Sequence, residues 1–145
     1  MVRNLNLNNC SIMQEDNNMG LIGGLLGNAS ELKADGAKLD KLFSEVLVEG
    51  ETIEKAYQLI RDLFVFTSKR LILVDKQGVT GKKIEFLSIP YSKITKFSKE
   101  SAGHFDLDAE LKIWVGSEST PIAKEFNRSV NINEVYAVLS KYVLN

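Results

Sequence analysis

The pattern of apolar and polar positions along the chain changes near residue 50. After Gly50, short runs rich in β-branched and aromatic residues are separated by turn residues, at the spacing of about 8 to 12 residues that is typical of all-β domains. Gln77, Gly78 and Gly81 mark one of these turns. We predict seven strands, at residues 51–60, 63–67, 70–75, 82–89, 94–100, 106–115 and 121–127.

The sixth run has the clearest two-residue period. Its apolar residues alternate with charged residues and Trp114, so one face of the strand belongs to the core and the other faces solvent or a partner. The predicted core positions are Leu107, Ala109, Leu111, Ile113 and Val115. The seventh run is mostly polar, which suits an edge of the sheet.

Two stretches have a helical period instead. Before the strands, leucine spacing predicts a short helix at about residues 37–47. At the end of the chain, Asn131 and Glu134 form a predicted capping pair for a helix whose apolar stripe is Val135, Val138, Leu139, Tyr142 and Val143. We expect this helix to close the open end or corner of the sheet. The predicted fold class is therefore mostly β, a bent antiparallel sheet or barrel with a C-terminal helix.

The first 50 residues differ in composition from the rest. Residues 1–18 are rich in asparagine, so we expect them to be disordered or a non-native leader, with Met19 as the start of translation. Residues 19–27 are the most apolar, but as a helix they would span only ~14 Å of a ~30 Å hydrocarbon core. We interpret them as an apolar arm that packs on its own domain or a neighbouring copy, with a membrane-surface anchor as the alternative. The arm and first helix then occupy 19–50, and the β-domain 51–145.

The composition excludes several classes of function. The formal net charge is −1 with 26% charged residues, so the chain lacks the positive field of a nucleic-acid binder. A single cysteine, Cys10, and a single histidine, His104, exclude an internal disulfide, a paired-cysteine zinc site and a histidine cluster. Without a catalytic or phosphate-binding motif, we predict no enzyme, no cofactor and no metal site. The start has no apolar signal region, so we expect a cytoplasmic protein.

Two sets of residues could contact a partner. The first is an oligomer or protein interface, because an exposed tryptophan is often an interface anchor; it comprises Trp114 and the arm residues Leu21, Ile22, Leu25 and Leu26. The second is a set of cations on or near turns, which could contact an anion or a lipid headgroup or could simply protect strand edges. Its members are Lys69, Arg70, Lys82, Lys83, Lys93 and Lys96. Lys99 follows Lys96 at the same three-residue spacing that separates Lys93 from Lys96.

Three passages resemble the bacterial pleckstrin-homology-like family: MGLIGGLLGNAS at 19–30, DLFVFTSKRLILVD at 62–75 and IPYSKITKFS at 89–98. The resemblance implies a seven-stranded, bent antiparallel barrel capped by a C-terminal helix, a bacterial source and a tendency to assemble into rings. Phosphoinositide-binding domains of this fold carry a basic pattern in a longer loop between the first two strands. This chain has only Arg61 and Asp62 there, so the resemblance does not imply inositol-phosphate binding.

We therefore predict a non-catalytic binding or scaffold module that self-associates, as a ring-like homo-oligomer, through strand edges, the arm and Trp114. The alternative is a peripheral membrane or lipid-headgroup module of marginal affinity. A protein partner is a further alternative, and nucleic acid is not expected.

Overall fold

The computed structural model describes residues 36–59, 62–77, 83–101 and 108–145 of the protein. A short 3₁₀ turn, Tyr91–Lys93, joins the fourth and fifth strands. The helices are α1, Gly36–Phe43, and α2, Ile132–Val143. The strands are β1, Ile53–Gln58; β2, Leu63–Thr67; β3, Arg70–Gln77; β4, Lys83–Pro90; β5, Ile94–Glu100; β6, Asp108–Val115; and β7, Ile122–Asn127. The predicted mostly-β fold class, with seven strands, a C-terminal helix and a short helix before the strands, is confirmed.

The first helix is shorter than predicted. It ends at Phe43 rather than at residue 47. In the turn that follows, Val46 and Leu47 both donate their backbone N–H to the Phe43 carbonyl, at 2.9 and 3.0 Å. Gly50 completes the connection to β1 with a φ of 73°, in the left-handed region that favours glycine.

The strands form two antiparallel sheets, one in the order β1-β2-β3-β4 and the other in the order β5-β6-β7. The position of β7 at a sheet edge agrees with the prediction. The pairing register is interrupted twice, between Ile53 and Lys55 in β1 and between Ile94 and Lys96 in β5. Interruptions of this kind bend a strand and increase its twist.

The main core lies between the two sheets and α2. From β6 it receives Ala109, Leu111 and Ile113, as the two-residue period predicted. Aromatic rings join the sheets across this core. Phe64 of β2 packs against Phe126 of β7 with ring centroids 5.5 Å apart, and both side chains are fully buried.

α2 closes this core from one side. Asn131 caps the helix, but its side-chain oxygen accepts a hydrogen bond from the Asn133 N–H at 3.0 Å rather than forming the predicted pair with Glu134. The Glu134 carboxylate instead pairs with Lys55 of β1. The helix side chains buried in the core are Ile132, Val135 and Leu139.

A second apolar cluster lies on the outer face of the four-stranded sheet. α1 covers it with Leu39, Leu42 and Phe43, all of them buried. The sheet residues beneath the helix are Ala56, Leu63, Val65, Ile72 and Val74. This sheet is therefore apolar on both faces, which explains why every residue of β2 is buried.

Candidate interaction surfaces

Four strands, β1, β4, β5 and β7, have a single neighbour among the described residues, so each has one unpaired edge. Open edges pair with other chains unless a bulge, a charge or a covering element protects them. β1 is protected by its interrupted register and by the Lys55–Glu134 ion pair, which ties α2 to it. Lys124 and Glu125 supply charge along β7.

β4 is the least protected of these edges. All eight of its residues pair with β3 in one uninterrupted register. Its charged residues, Lys83 and Glu85, lie in its first half, and the Glu85 carboxylate accepts a hydrogen bond from Gln77 at 2.8 Å. Pro90, which cannot donate to a ladder, stands only at the end of the strand. A neighbouring strand could therefore pair along most of β4.

β4 also carries apolar side chains on both faces. Phe86 packs edge-on against Phe43 of α1, with ring centroids 5.6 Å apart. Leu87 points to the other face, where it lies opposite Leu73 in the ladder. Leu87 is 41% exposed, whereas Leu73 is 3% exposed. The sequence prediction missed Leu87, because strand periodicity does not reveal which core-facing residues a neighbour will cover.

β5 has the opposite character, because positive charge lies along the strand and at the end of the turn before it. Lys93, Lys96 and Lys99 are exposed, and no carboxylate among the described residues lies within ion-pair distance of them. The Lys96 Nζ atom lies 4.5 Å from the ring centroid of Trp114, and the Lys99 Nζ atom lies 5.4 Å from that of Tyr136 in α2. Aromatic faces attract cations, so both lysines are held beside the strand.

Trp114 is half-buried on the outer face of the three-stranded sheet. Its Nε1–H donates to the Ser119 carbonyl at 3.2 Å, and Lys96 lies over its ring. These two contacts fix the ring while part of it stays accessible. The interface role of Trp114 remains a prediction.

Arg70, a predicted anion contact, is used within the fold. Its guanidinium donates to both carboxylate oxygens of Glu51, at 2.9 and 3.0 Å. It also donates to the Val46 carbonyl at 2.7 Å and to the Ser88 hydroxyl at 2.9 Å. Because all three of its nitrogen atoms are engaged, we assign Arg70 to the fold rather than to a binding surface.

The other predicted anion contacts do not form one site, because Lys93 and Lys96 lie at β5 while Lys69 and Lys83 lie elsewhere. Lys69, in the β2–β3 turn, donates to the Glu49 carbonyl at 3.3 Å. Lys83 begins β4 and Lys93 follows its end, so about 23 Å of extended strand separates them. Lys82 lies outside the described residues. The two described helices, of 8 and 12 residues, are too short to span a membrane.

A charge cluster that the sequence prediction missed lies between the two sheets. The Lys124 Nζ atom of β7 is 2.6 Å from the Asp62 Oδ2 atom, just before β2. Burial and the negative charge of Asp62 raise the pKa of Asp75 above its ordinary value, whereas the positive charge of Lys124 lowers it.

Among the described residues, no group of three or more His, Cys, Asp or Glu side chains is arranged to hold a metal ion.

The predicted arm contacts, Leu21, Ile22, Leu25 and Leu26, lie outside the described residues, as do Cys10 and His104. Their roles therefore stay predictions.

Comparisons with known proteins agree with this architecture. A family model for the bacterial PH domain matches residues 20–143. The uncharacterized protein YjqA of Bacillus subtilis (strain 168) is 54% identical over 123 residues, which cover 84% of this chain and 97% of YjqA.

Two crystal structures are similar as well. The pleckstrin homology domain from Shewanella amazonensis SB2B is 48% identical with a TM-score of 0.69, over 77% of this chain and 100% of that one. A DUF1696 family protein with a pleckstrin-homology domain, from Shewanella loihica PV-4, is 43% identical with a TM-score of 0.70, over 81% of this chain and 98% of that one. The chain therefore belongs to the bacterial PH domain family, as its three characteristic passages predicted.

Proposed function

We propose that this chain is a non-catalytic binding module that self-associates through strand β4 into a closed, ring-like homo-oligomer. The observation that carries the proposal is the edge of β4, with eight residues in uninterrupted register, no second neighbour among the described strands, and Leu87 41% exposed. A strand from a second copy would pair with the backbone groups of this edge and cover Leu87.

The edge cannot be the whole interface. Covering the exposed part of one leucine contributes only about 1 kcal/mol, and stable interfaces bury roughly 1,200–2,000 Å² in total. Further contacts are needed, and the predicted ones are Trp114 and the apolar arm at residues 19–27. An arm that reaches a neighbouring copy would add apolar area without occupying β4.

Pairing of β4 with a different edge of the next copy favours a closed assembly. Such a contact leaves the β4 of that next copy unpaired, so copies continue to add until the assembly closes on itself. Closure leaves no β4 edge exposed. A contact between two β4 edges would instead stop at a dimer, so the measured mass distinguishes the two arrangements.

The non-catalytic part of the proposal rests on the family and on the chemistry present. The chain has one histidine and one cysteine, and its described acidic residues form no metal-holding group. The partly buried charges at Asp62, Asp75 and Lys124 have no histidine or cysteine beside them among the described residues.

Solution mass, measured for the full chain by size-exclusion chromatography with light scattering at several concentrations, tests the proposal. The expected result is one species, several times the 16.2 kDa chain mass, that does not change with concentration. Leu87→Lys places a charge on the β4 edge and is expected to produce the 16.2 kDa monomer. Leu144→Lys is the matched control, because Leu144 is 74% exposed beyond the end of α2, and it should keep the wild-type mass.

Each outcome has a distinct meaning. A wild-type monomer at every concentration contradicts self-association. A multimer that survives Leu87→Lys retains self-association but excludes β4 as the contact. Deletion of residues 19–27 and, separately, Trp114→Ala then test the two predicted additional contacts.

A further inference from the structure

We propose that the edge of β5, with Lys93, Lys96 and Lys99, binds an extended acidic segment of a partner protein. This surface is distinct from the β4 edge, and the inference does not depend on self-association. Three properties of β5 support it. Among the described residues, its backbone edge is unpaired, its positive charges have no ion-pair partners, and aromatic groups hold two of those charges, one on each face of the strand.

The backbone of β5 offers hydrogen-bonding groups for an added strand. β5 pairs with β6 on one side, and no strand among the described residues pairs with its other side. The outward N–H and C=O groups of such an edge can form a ladder with an extended peptide. Main-chain pairing of this kind supplies affinity, and the neighbouring side chains select the partner.

The lysines of the β5 edge differ from several other cations of the structure in lacking a carboxylate partner. Lys55, Lys112 and Lys124 each have a carboxylate partner among the described residues. The three β5-edge lysines have none there, although all are exposed. A partner that supplies carboxylates would therefore meet unneutralised charge, without first breaking an existing ion pair.

The lysines lie on both faces of the strand. Lys96 stands on the outer face against Trp114, whereas Lys99 stands on the α2 face against Tyr136 and donates a hydrogen bond to the Asn133 side chain. Tyr136 also packs against Phe97 of β5, with ring centroids 5.1 Å apart. An added strand would place its alternate side chains beside Lys96 and Lys99 in turn, so acidic residues on both of its faces would be matched.

The surroundings favour a narrow acidic segment over a flat anionic membrane. The outer face of the same sheet also carries Glu100, Glu110 and Glu125. A membrane pressed onto this face would bring its headgroups against those carboxylates. An extended peptide that lies along the β5 edge contacts the lysines and avoids most of the face.

Binding of a short synthetic peptide of mixed Glu and Val, with Glu on both faces of the extended chain, tests the inference on the full-length protein. Trp114 is the single tryptophan of the chain and lies against Lys96, so its fluorescence reports binding directly. We expect saturable binding that weakens as NaCl is raised from about 50 to about 300 mM. A peptide with Lys in place of every Glu should not bind.

Charge reversal locates the site. The double variant Lys96→Glu with Lys99→Glu should weaken binding of the acidic peptide by at least about tenfold. Lys69→Glu changes the charge of an exposed lysine in the β2–β3 turn and should weaken binding less than about twofold.

Equal weakening by both variants, or equal binding of the basic peptide, would overturn the inference. Binding of phosphatidylserine vesicles without binding of the acidic peptide would also overturn it, because that result would assign the lysines to a membrane. Circular dichroism of each variant confirms that the fold is retained.

Discussion

Glu51 and Arg70 form a two-point ion pair, with the Nε and Nη2 atoms of Arg70 lying 2.9 and 3.0 Å from the two carboxylate oxygens of Glu51. The Glu51 side chain is fully buried. It also accepts a hydrogen bond from the Thr67 hydroxyl at 2.6 Å. Because Arg70 further contacts Val46 and Ser88, this one side chain ties the connection after α1 to β3 and to the edge strand β4.

Arg70→Met should destabilise the fold strongly. The substitution keeps much of the side-chain length but leaves the buried Glu51 carboxylate without its cation, and breaking a buried pair in this way costs roughly 3 kcal/mol. Urea unfolding at one protein concentration measures the loss as a lower transition midpoint. Arg128→Met is the control, because Arg128 is exposed in the turn before α2; it should change the free energy of unfolding by less than about 0.5 kcal/mol. Similar losses in both variants would contradict the role assigned to Arg70.

The Glu51–Arg70 ion pair predicts that the stability of the fold depends on pH. Burial alone would raise the pKa of Glu51, but hydrogen bonds from Arg70, Thr67 and the Val48 N–H, with the charge of Arg70, lower it from 4.5 to about 2. Since the folded pKa lies below the unfolded one, the stabilisation is complete above the unfolded pKa and is lost as pH falls from 4.5 towards 2. Glu51→Gln should therefore be less stable than wild type at pH 7 and should lose less stability across that acid window. Urea unfolding at a series of pH values measures both; parallel curves for the two proteins would show that Glu51 does not carry the effect.

The local pattern of apolar and polar residues predicted the fold well, and β6 and the start of α2 show the physical reasons. In β6, Leu111 and Ile113 alternate with Lys112 and Trp114 because one face meets the core and the other does not. Asn131 marked the start of α2 because its side chain satisfies a backbone N–H that the helix leaves unpaired. Such signals act over a few residues, so a single sequence contains them.

The surfaces were harder to predict, because they depend on contacts between distant parts of the chain. Arg70 was predicted to be an anion contact, but the fold brings Glu51 to it and uses its charge internally. Asp62 and Lys124 meet across the two sheets, which no local spacing indicates. Leu87 has a core-facing position in an alternating strand, and only the sheet order shows that nothing among the described strands lies beside it.

The packing of α1 on the outer sheet face predicts a large effect of Phe43→Ala. Phe43 is fully buried and meets Phe86 edge-on, so its removal leaves a cavity beneath the helix and costs about 3 kcal/mol or more. The unfolding midpoint in urea should fall accordingly. Val48→Ala removes a side chain that is 54% exposed in the connection after α1, and it should be nearly neutral. A Phe43→Ala protein as stable as Val48→Ala would mean that α1 contributes little to the fold.

Asp75→Asn should stabilise the protein at neutral pH, unlike the other substitutions. Burial, and then the charge of Asp62, raise the pKa of Asp75, so folding disfavours its ionised form. Because the pKa of Asp75 is higher in the folded than in the unfolded protein, its contribution to stability is fully present below the unfolded pKa. That contribution is lost as pH rises through the folded pKa. The neutral amide removes the penalty and should raise the free energy of unfolding at pH 7, a gain that disappears in acid. Asp40→Asn, at an exposed position of α1, is the control and should show no such gain. Destabilisation by Asp75→Asn at pH 7 would contradict the prediction, because it would mean that the attraction of Lys124 for the Asp75 charge outweighs both burial and the repulsion from Asp62.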